Sequence, residues 1–138
     1  MKVIMTGGGT GGHIYPAIAI AEEIKRRDTD AEIIFVGTNH GMEKDIVPRY
    51  GYELKFITVS GLNRKKLWKN VQTVRDLKKG TNEARAVIRE FQPDLVIGTG
   101  GYVCGPMVRT AASMGIRTYI HEQNAFPGLT NKLLSRKV

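Results

Sequence analysis

The sequence of 138 residues has few of the residues that support disulfide-linked, metal-thiolate or membrane-spanning folds. Its single cysteine, Cys104, excludes an internal disulfide and a thiolate metal cluster, and it is interpreted as a gap-filling residue at a helix start, with a reactive thiol as the alternative. No apolar run approaches the roughly twenty residues of a membrane-spanning helix, and the apolar start of the chain is too short for a signal peptide. These absences predict one soluble domain located in the cytoplasm.

Two glycine-rich segments occupy equivalent places in the chain. The first covers residues 7–13 and the second covers residues 98–106, and each follows an apolar run and precedes an amphipathic helical pattern. A helix N-terminus presents unpaired backbone N–H groups and the positive end of a dipole. Together the two segments therefore predict bare N–H groups directed at one phosphate or diphosphate.

Five short β-rich apolar runs alternate with helical patterns. The runs are residues 2–6, 32–36, 54–59, 95–98 and 117–120. This alternation predicts an α/β fold, a doubly wound parallel sheet of the Rossmann type, that occupies residues 1–138 as one domain.

Each of these runs is followed by apolar residues at the spacing typical of a helix. A short helix over residues 42–47 is expected to stop at Pro48, and a break at Gly80 is expected to divide the next helical stretch into two. A last helix is expected to begin near Pro127 and to continue to Val138 without a Gly or Asn cap, which favours a truncated chain.

The first glycine segment lacks a residue that each common nucleotide loop requires. Its glycine spacing satisfies the dinucleotide fingerprint, but Thr38 and Asn39 follow the second strand where that fold needs an acidic residue. A nucleoside-triphosphate loop needs Lys and then Ser or Thr, whereas this chain has His13 and Ile14. The helix dipole disfavours an imidazolium at His13 and leaves a neutral ring that can accept a proton, with a capping or core role as the alternative.

A polar quartet, residues 121–124, follows the fifth strand. Ligands bind at the carboxyl ends of the strands in open parallel sheets, so this quartet is expected to share one rim with His13 and Tyr102. Amide and carboxylate groups suit sugar hydroxyls. The quartet is therefore a candidate hydroxyl-binding group.

The net charge of +8 is concentrated in one segment, since residues 64–79 contain seven basic residues and a single acidic one. Basic side chains beside exposed apolar ones predict reversible contact with an anionic membrane. The expected contacts are Lys65, Lys66, Leu67, Trp68 and Lys69. The alternative is an ordinary core helix, which shows a similar stripe of apolar residues. Nucleic acid is disfavoured as a partner because Trp68 is the only aromatic residue among these charges.

Short motifs in order along the whole chain resemble the MurG family, bacterial transferases that add N-acetylglucosamine to lipid I and give lipid II for peptidoglycan. The motifs cover residues 8–13, 41–43, 47–48, 60–62, 100–103, 105–106, 121–124 and 128–132. Their order is far more specific than one glycine turn. The resemblance covers only the amino-terminal half of a family with two domains.

The resemblance implies an inverting GT-B glycosyltransferase, whose second, carboxyl-terminal domain would hold most of the UDP. The implied partners are UDP-N-acetylglucosamine, lipid I, the protein's own carboxyl-terminal domain and the cytoplasmic face of the cell membrane, which it would bind peripherally. The implied donor contacts are Thr10, Gly11, Gly12 and Asn124. The implied acceptor and diphosphate contacts are Gly8, Gly9, Gly100, Gly101, Tyr102 and Asn131.

The resemblance also implies a general base for the acceptor's C4 hydroxyl, and His13 is the first candidate for it. Glu122 is the rival, and its alternative role is to bond backbone amides around its turn. No cofactor or metal is implied, because the acidic residues Asp28 and Asp30 precede the second strand and belong to the opposite edge of the sheet. The alternative function is a non-catalytic acceptor-binding or membrane-recruiting subunit of a split glycosyltransferase.

Overall fold

A computed structural model describes residues 1–59 and 67–138 of the chain, without the side chains of residues 67–70, 72 and 73. The strands are β1 (Lys2–Thr6), β2 (Glu32–Gly37), β3 (Glu53–Phe56), β4 (Leu95–Gly98) and β5 (Arg117–Ile120). The helices are α1 (Gly11–Arg27), α2 (Glu43–Arg49), α3 (Leu67–Phe91), α4 (Cys104–Ser113) and α5 (Leu129–Leu134).

The strands form one parallel sheet in the order β3-β2-β1-β4-β5. The order changes direction between β1 and β4, which are paired from Val3 opposite Leu95 to Thr6 opposite Gly98. A crevice opens beyond the carboxyl ends of two such strands, and ligands bind there in open α/β sheets. The two glycine segments follow β1 and β4, so the topology places both of them at this switch point.

The central strand β1 is buried on both faces. Ile4 packs with α3, α4 and α5 in one apolar cluster, whereas Val3 and Met5 pack with α1 and α2 in another. All three side chains are fully buried. Helices therefore cover both faces of the sheet, and the predicted doubly wound fold is confirmed.

Helix α3 continues through Gly80, so the prediction that Gly80 separates two helices is wrong. A Cβ atom added at Gly80 would lie 2.1 Å from the carbonyl oxygen of Thr58. The glycine thus lets the helix backbone approach the segment that follows β3. Sequence patterns miss this role because the contact joins residues far apart in the chain.

Several predicted element ends also change. β3 ends at Phe56 because it pairs with β2 only as far as Gly37, and α2 extends one residue past Pro48. α5 begins after the extended residue Gly128 and ends at Leu134, so the expectation of a helix from Pro127 to the last residue is wrong.

Replacing Gly80 by alanine is expected to lower the free energy of unfolding by about 1–3 kcal/mol, because the new methyl group would overlap the Thr58 carbonyl. Urea unfolding followed by circular dichroism measures this change. The control is Gly105→Ala in α4, where the added Cβ would lie 4.0 Å from the nearest side-chain atom, a methyl of Thr130. That control is expected to leave stability unchanged or raise it by up to about 1 kcal/mol, and equal losses in both variants would contradict the steric explanation.

Candidate functional site

A cavity of about 410 Å³ lies beyond the carboxyl ends of the strands, at the switch point. Most of the residues predicted from the sequence line it, namely Gly8, Gly9, Thr10, His13, Gly100, Gly101, Tyr102, Glu122, Asn124 and Asn131. Gly11 and Gly12 lie beside it, at the start of α1. The fold thus gathers residues from three distant parts of the chain around one space.

The two glycine turns touch each other. The N–H of Gly8 donates to the carbonyl oxygen of Gly100 at 3.3 Å. A Cβ atom added at Gly101 would lie 2.4 Å from the Gly8 carbonyl oxygen, and the φ of Gly101 is +90°, which disfavours any other residue. Glycine is required here so that the two backbones can meet.

The expectation that the glycine N–H groups are bare is wrong for Gly8, Gly9 and Gly100. Gly8 donates to Gly100, Gly9 donates to a carboxylate oxygen of Glu43 at 3.0 Å, and Gly100 donates to the Cys104 sulfur at 3.2 Å. Only the first of these bonds joins the two turns, but all three N–H groups are used within the protein.

The free N–H groups lie one to three residues further along each turn. Within residues 1–59 and 67–138, no acceptor is bound to the N–H groups of residues 10–12, which start α1, or of residues 101–103, which precede α4. First-turn N–H groups lack partners inside a helix and carry the positive end of its dipole. The candidate anion site is therefore formed by two adjacent helix N-termini.

His13 is half-buried and packs against Gly100, where an added Cβ atom would lie 2.6 Å from the imidazole Cδ2. Its Nδ1 lies 3.0 Å from the carbonyl oxygen of Gly8. A carbonyl oxygen only accepts hydrogen bonds, so Nδ1 carries the hydrogen, and Nε2 of the neutral ring is left as the proton acceptor. The ring lines the cavity and does not cap the helix.

Glu122 accepts hydrogen bonds from its own loop and from Asn131 on α5. Its carboxylate accepts the backbone N–H groups of Gly128 at 2.9 Å and Asn124 at 3.0 Å, and also the side-chain amides of Asn124 and Asn131. These bonds, that from Gly128 first, lower the pKa of Glu122 to about 2. The geometry favours the structural role of Glu122 over that of a base.

Glu43 is the site residue that the sequence analysis missed. Its side chain is 1% exposed and is enclosed by three glycines. A Cβ atom added at Gly8, Gly37 or Gly41 would lie within 2.5 Å of one of its side-chain atoms. The only signal in the sequence was the motif of residues 41–43, which carried the family resemblance without a role for the carboxylate.

The buried Glu43 carboxylate is surrounded by hydrogen-bond donors. It accepts the Thr38 N–H at 2.7 Å, the Thr38 hydroxyl at 2.9 Å and the Gly9 N–H at 3.0 Å. Burial is the largest single influence and raises the pKa of Glu43, but the hydrogen bonds from Thr38, Gly9 and its own backbone together lower it below the ordinary value. The side chain is therefore a buried anion beneath the first glycine turn.

Two further side chains, Asn131 in the cavity wall and Cys104 behind the second glycine turn, have defined environments. The Cys104 thiol is fully buried and lies 3.1 Å from the carbonyl oxygens of Thr6 and Gly100, and burial raises its pKa to about 11. It fills space and is not a reactive thiolate. The Asn131 amide donates to the His121 carbonyl and to Glu122, while its Oδ1 is buried without a donor from any described residue.

The predicted membrane contacts Lys65, Lys66, Leu67, Trp68 and Lys69 lie outside the residues whose side chains the structure describes. The next turns of α3 are described, and Val71, Val74 and Leu77 are at least half exposed there. Among the described residues, none of the helices combines the length and the apolar character needed to cross a membrane.

Fold and site together define a doubly wound α/β domain with a glycine-lined crevice at its switch point. The chain belongs to glycosyltransferase family 28, because the model of that family's N-terminal domain matches residues 3–138. The predicted fold, that of the amino-terminal half of a GT-B glycosyltransferase, agrees with this family.

The chain is similar over its full length to curated bacterial transferases. Proteins from Alkaliphilus oremlandii and Clostridioides difficile are 59% and 56% identical to it over 138 residues. Both are named UDP-N-acetylglucosamine--N-acetylmuramyl-(pentapeptide) pyrophosphoryl-undecaprenol N-acetylglucosamine transferase. The chain spans 38% and 34% of their lengths, respectively.

Solved structures show the same fold. The crystal structure of Acinetobacter baumannii MurG is 33% identical, with a TM-score of 0.86, and the match covers 99% of this chain and 39% of that protein. The Streptomyces glycosyltransferase SsfS6, complexed with thymidine diphosphate, matches with a TM-score of 0.67 at 17% identity, over 96% of this chain and 41% of that one. The second likeness concerns the fold alone.

Replacing Glu122 by glutamine is expected to loosen the loop that it holds. The pKa of Glu122 is lowered from 4.5 to about 2. The ionised carboxylate therefore stabilises the loop fully above pH 4.5, and this stabilisation is lost as the pH falls through about 2. Wild-type amide-exchange protection at Asn124 and Gly128 should therefore fall across this window. In the variant it should already be low at neutral pH.

The control for this experiment is Glu53→Gln, since Glu53 is an exposed carboxylate that pairs with Lys55 at 3.5 Å. It should leave the Asn124 and Gly128 amides unchanged. Full protection of both amides in the Glu122 variant at neutral pH would contradict the proposed role of the carboxylate.

Proposed function

We propose that the protein is an inverting glycosyltransferase that moves N-acetylglucosamine from UDP-N-acetylglucosamine to the C4 hydroxyl of the N-acetylmuramyl sugar in lipid I. The product would be lipid II for peptidoglycan. The family match and the names of relatives at 56–59% identity support this proposal. The described domain would bind the acceptor, and a carboxyl-terminal domain of the full-length protein would hold most of the UDP.

The observation that carries the proposal is the environment of His13. Its Nδ1 is held by the Gly8 carbonyl, so Nε2 is the ring nitrogen available to accept a proton in the cavity. The rival Glu122 accepts four hydrogen bonds and has a pKa of about 2, so it is a weak base.

In the proposed reaction, His13 removes the proton from the acceptor's C4 hydroxyl while that oxygen attacks the anomeric carbon of the donor. The bond from the anomeric carbon to the diphosphate oxygen breaks, and its electron pair leaves with UDP. Attack from the opposite side inverts the anomeric configuration. A correctly placed base contributes about 10²–10⁴-fold, and the rest comes from positioning the substrates and stabilising the leaving group.

The backbone of the two turns would bind the phosphates and sugars. The free N–H groups of residues 10–12 and 101–103 suit diphosphate oxygens. Thr10, Gly11, Gly12 and Asn124 would contact the donor. Gly8, Gly9, Gly100, Gly101, Tyr102 and Asn131 would line the acceptor side. The buried Oδ1 of Asn131 could accept a hydrogen bond from a sugar hydroxyl.

Replacing His13 by alanine in the full-length protein is expected to lower kcat by about 100-fold or more, because the variant lacks the base. Transfer of labelled N-acetylglucosamine to a lipid I analogue measures this change. A loss of less than about tenfold would remove His13 from the base role.

His40→Ala and Glu122→Gln are the matched controls for that experiment. His40 is a second histidine lining the same cavity, and its loss should cost much less than the loss of His13. A larger loss in Glu122→Gln than in His13→Ala, with the Asn124 and Gly128 amides still protected, would favour the rival base. A wild-type protein that binds lipid I without transferring sugar would support a non-catalytic subunit instead.

We also propose that the protein meets its lipid substrate as a peripheral protein on the cytoplasmic face of the cell membrane. Val71, Val74 and Leu77 are 57%, 63% and 50% exposed along α3. The exposed basic residues Arg75, Lys78 and Lys79 lie on the same helix. Each basic residue near an anionic surface adds about 1 kcal/mol, so a few charges with inserted apolar side chains support reversible binding.

Replacing Val74 and Leu77 by serine is expected to weaken binding to vesicles rich in anionic lipid by about tenfold, because exposed apolar area is removed. Vesicle sedimentation measures binding, and circular dichroism checks the fold. The control is Leu133→Ser on α5, which removes a leucine that is 66% exposed. Equal binding by wild type and double variant, or an equal loss in the control, would contradict a specific role for α3.

A further inference from the structure

One peptide group joins Glu43 to His13. The N–H of Gly9 donates to the Glu43 carboxylate at 3.0 Å. The carbonyl oxygen of Gly8, on the other side of the same peptide bond, lies 3.0 Å from Nδ1 of His13. The peptide bond is planar and trans, so these two hydrogen bonds fix the orientation of the whole unit.

We propose that Glu43 is a positioning residue that acts on His13 through the peptide group between Gly8 and Gly9. This inference rests on the proposed function of His13 as the base. The Glu43 anion polarises the peptide, which makes the Gly8 carbonyl oxygen a stronger acceptor. That oxygen keeps the hydrogen on Nδ1 and stabilises the positive ring that forms when Nε2 accepts a proton.

The surroundings of Glu43 require an acceptor. The carboxylate accepts each hydrogen bond that the structure gives it, from the N–H groups of Gly9, Thr38 and Glu43 itself and from the Thr38 hydroxyl. The Thr38 hydroxyl accepts the Gly41 N–H at 3.2 Å, which leaves its own hydrogen for Glu43. A glutamine would set its NH₂ group against one of these donors, so the site selects the anion.

A matched carboxylate elsewhere in the chain separates positioning from structural support. Glu83 accepts the Thr58 N–H at 2.7 Å and the Thr58 hydroxyl at 2.9 Å, the same pair of bonds that Glu43 makes with Thr38. No histidine is linked to Glu83 through a described hydrogen bond. Glu83→Gln therefore reports the cost of losing such an anion without the link to a base.

The test is Glu43→Gln in the full-length protein. We expect kcat to fall by about tenfold while the KM values for UDP-N-acetylglucosamine and a lipid I analogue change by less than about threefold. We also expect the acidic limb of the kcat profile to move to lower pH, because the base has lost its anionic support. Glu83→Gln should alter stability alone. An unchanged kcat and acidic limb would overturn the proposal.

Other ionisable groups line the same cavity, namely His40, Tyr102 and Glu122. The effect of Glu43→Gln is therefore measured again in the His13→Ala background. If Glu43 acts through His13, adding Glu43→Gln to His13→Ala causes no further loss of kcat and no shift of the acidic limb of the kcat–pH profile. An equal loss in both backgrounds would show a structural role that is independent of His13, and would overturn the proposal.

A measurement on the wild-type protein covers the case in which Glu43→Gln does not fold. Nitrogen NMR of ¹⁵N-histidine, assigned with His13→Ala, should show the hydrogen of neutral His13 on Nδ1. A hydrogen on Nε2 would overturn the proposal even if transfer is normal. If the hydrogen lies on Nδ1 but His13→Ala does not lower kcat as predicted, the proposed role of His13 as the base is overturned instead.

Discussion

The close contact between the two glycine turns is the constraint on which the site depends. The Gly8 N–H donates to the Gly100 carbonyl oxygen, and Gly101 can lie against the Gly8 carbonyl only because it carries no Cβ atom. The contact joins the ends of β1 and β4, the two neighbouring strands between which the strand order changes direction. Both helix N-termini and the Gly8 carbonyl that holds His13 are placed as a result.

The two carboxylates of the site both serve as structural acceptors. Burying an ion is costly unless donors replace its water, and Glu43 meets that condition with bonds from Thr38 and Gly9. At the rim of the cavity, the Glu122 carboxylate accepts backbone N–H groups of its own loop. Because both carboxylates are occupied by these bonds, the proposed role of base belongs to His13, whose Nδ1 is bound to the Gly8 carbonyl oxygen, and not to Glu122.

The sequence predicted the features that depend on local pattern. Strand and helix alternation predicted the parallel sheet, and a glycine turn after β1 and another after β4 predicted where the cavity lies. Two features that the sequence did not predict depend on contacts between residues that are separated along the chain. Gly80 looked like a helix break, but its missing Cβ makes room for the Thr58 carbonyl, and Glu43 was given no role although three glycines enclose its side chain.

The glycine turns also show why a glycine-rich motif does not by itself identify ligand contacts. A glycine can free an N–H group for a ligand, or it can let two backbones meet, and a sequence pattern cannot separate these uses. Here the missing Cβ of Gly101 lets the two backbones meet, and the N–H groups of Gly8, Gly9 and Gly100 are bonded inside the protein. The free groups belong to residues 10–12 and 101–103, where the helix dipoles act. Internal hydrogen bonding and the candidate anion site therefore use successive residues of the same turn.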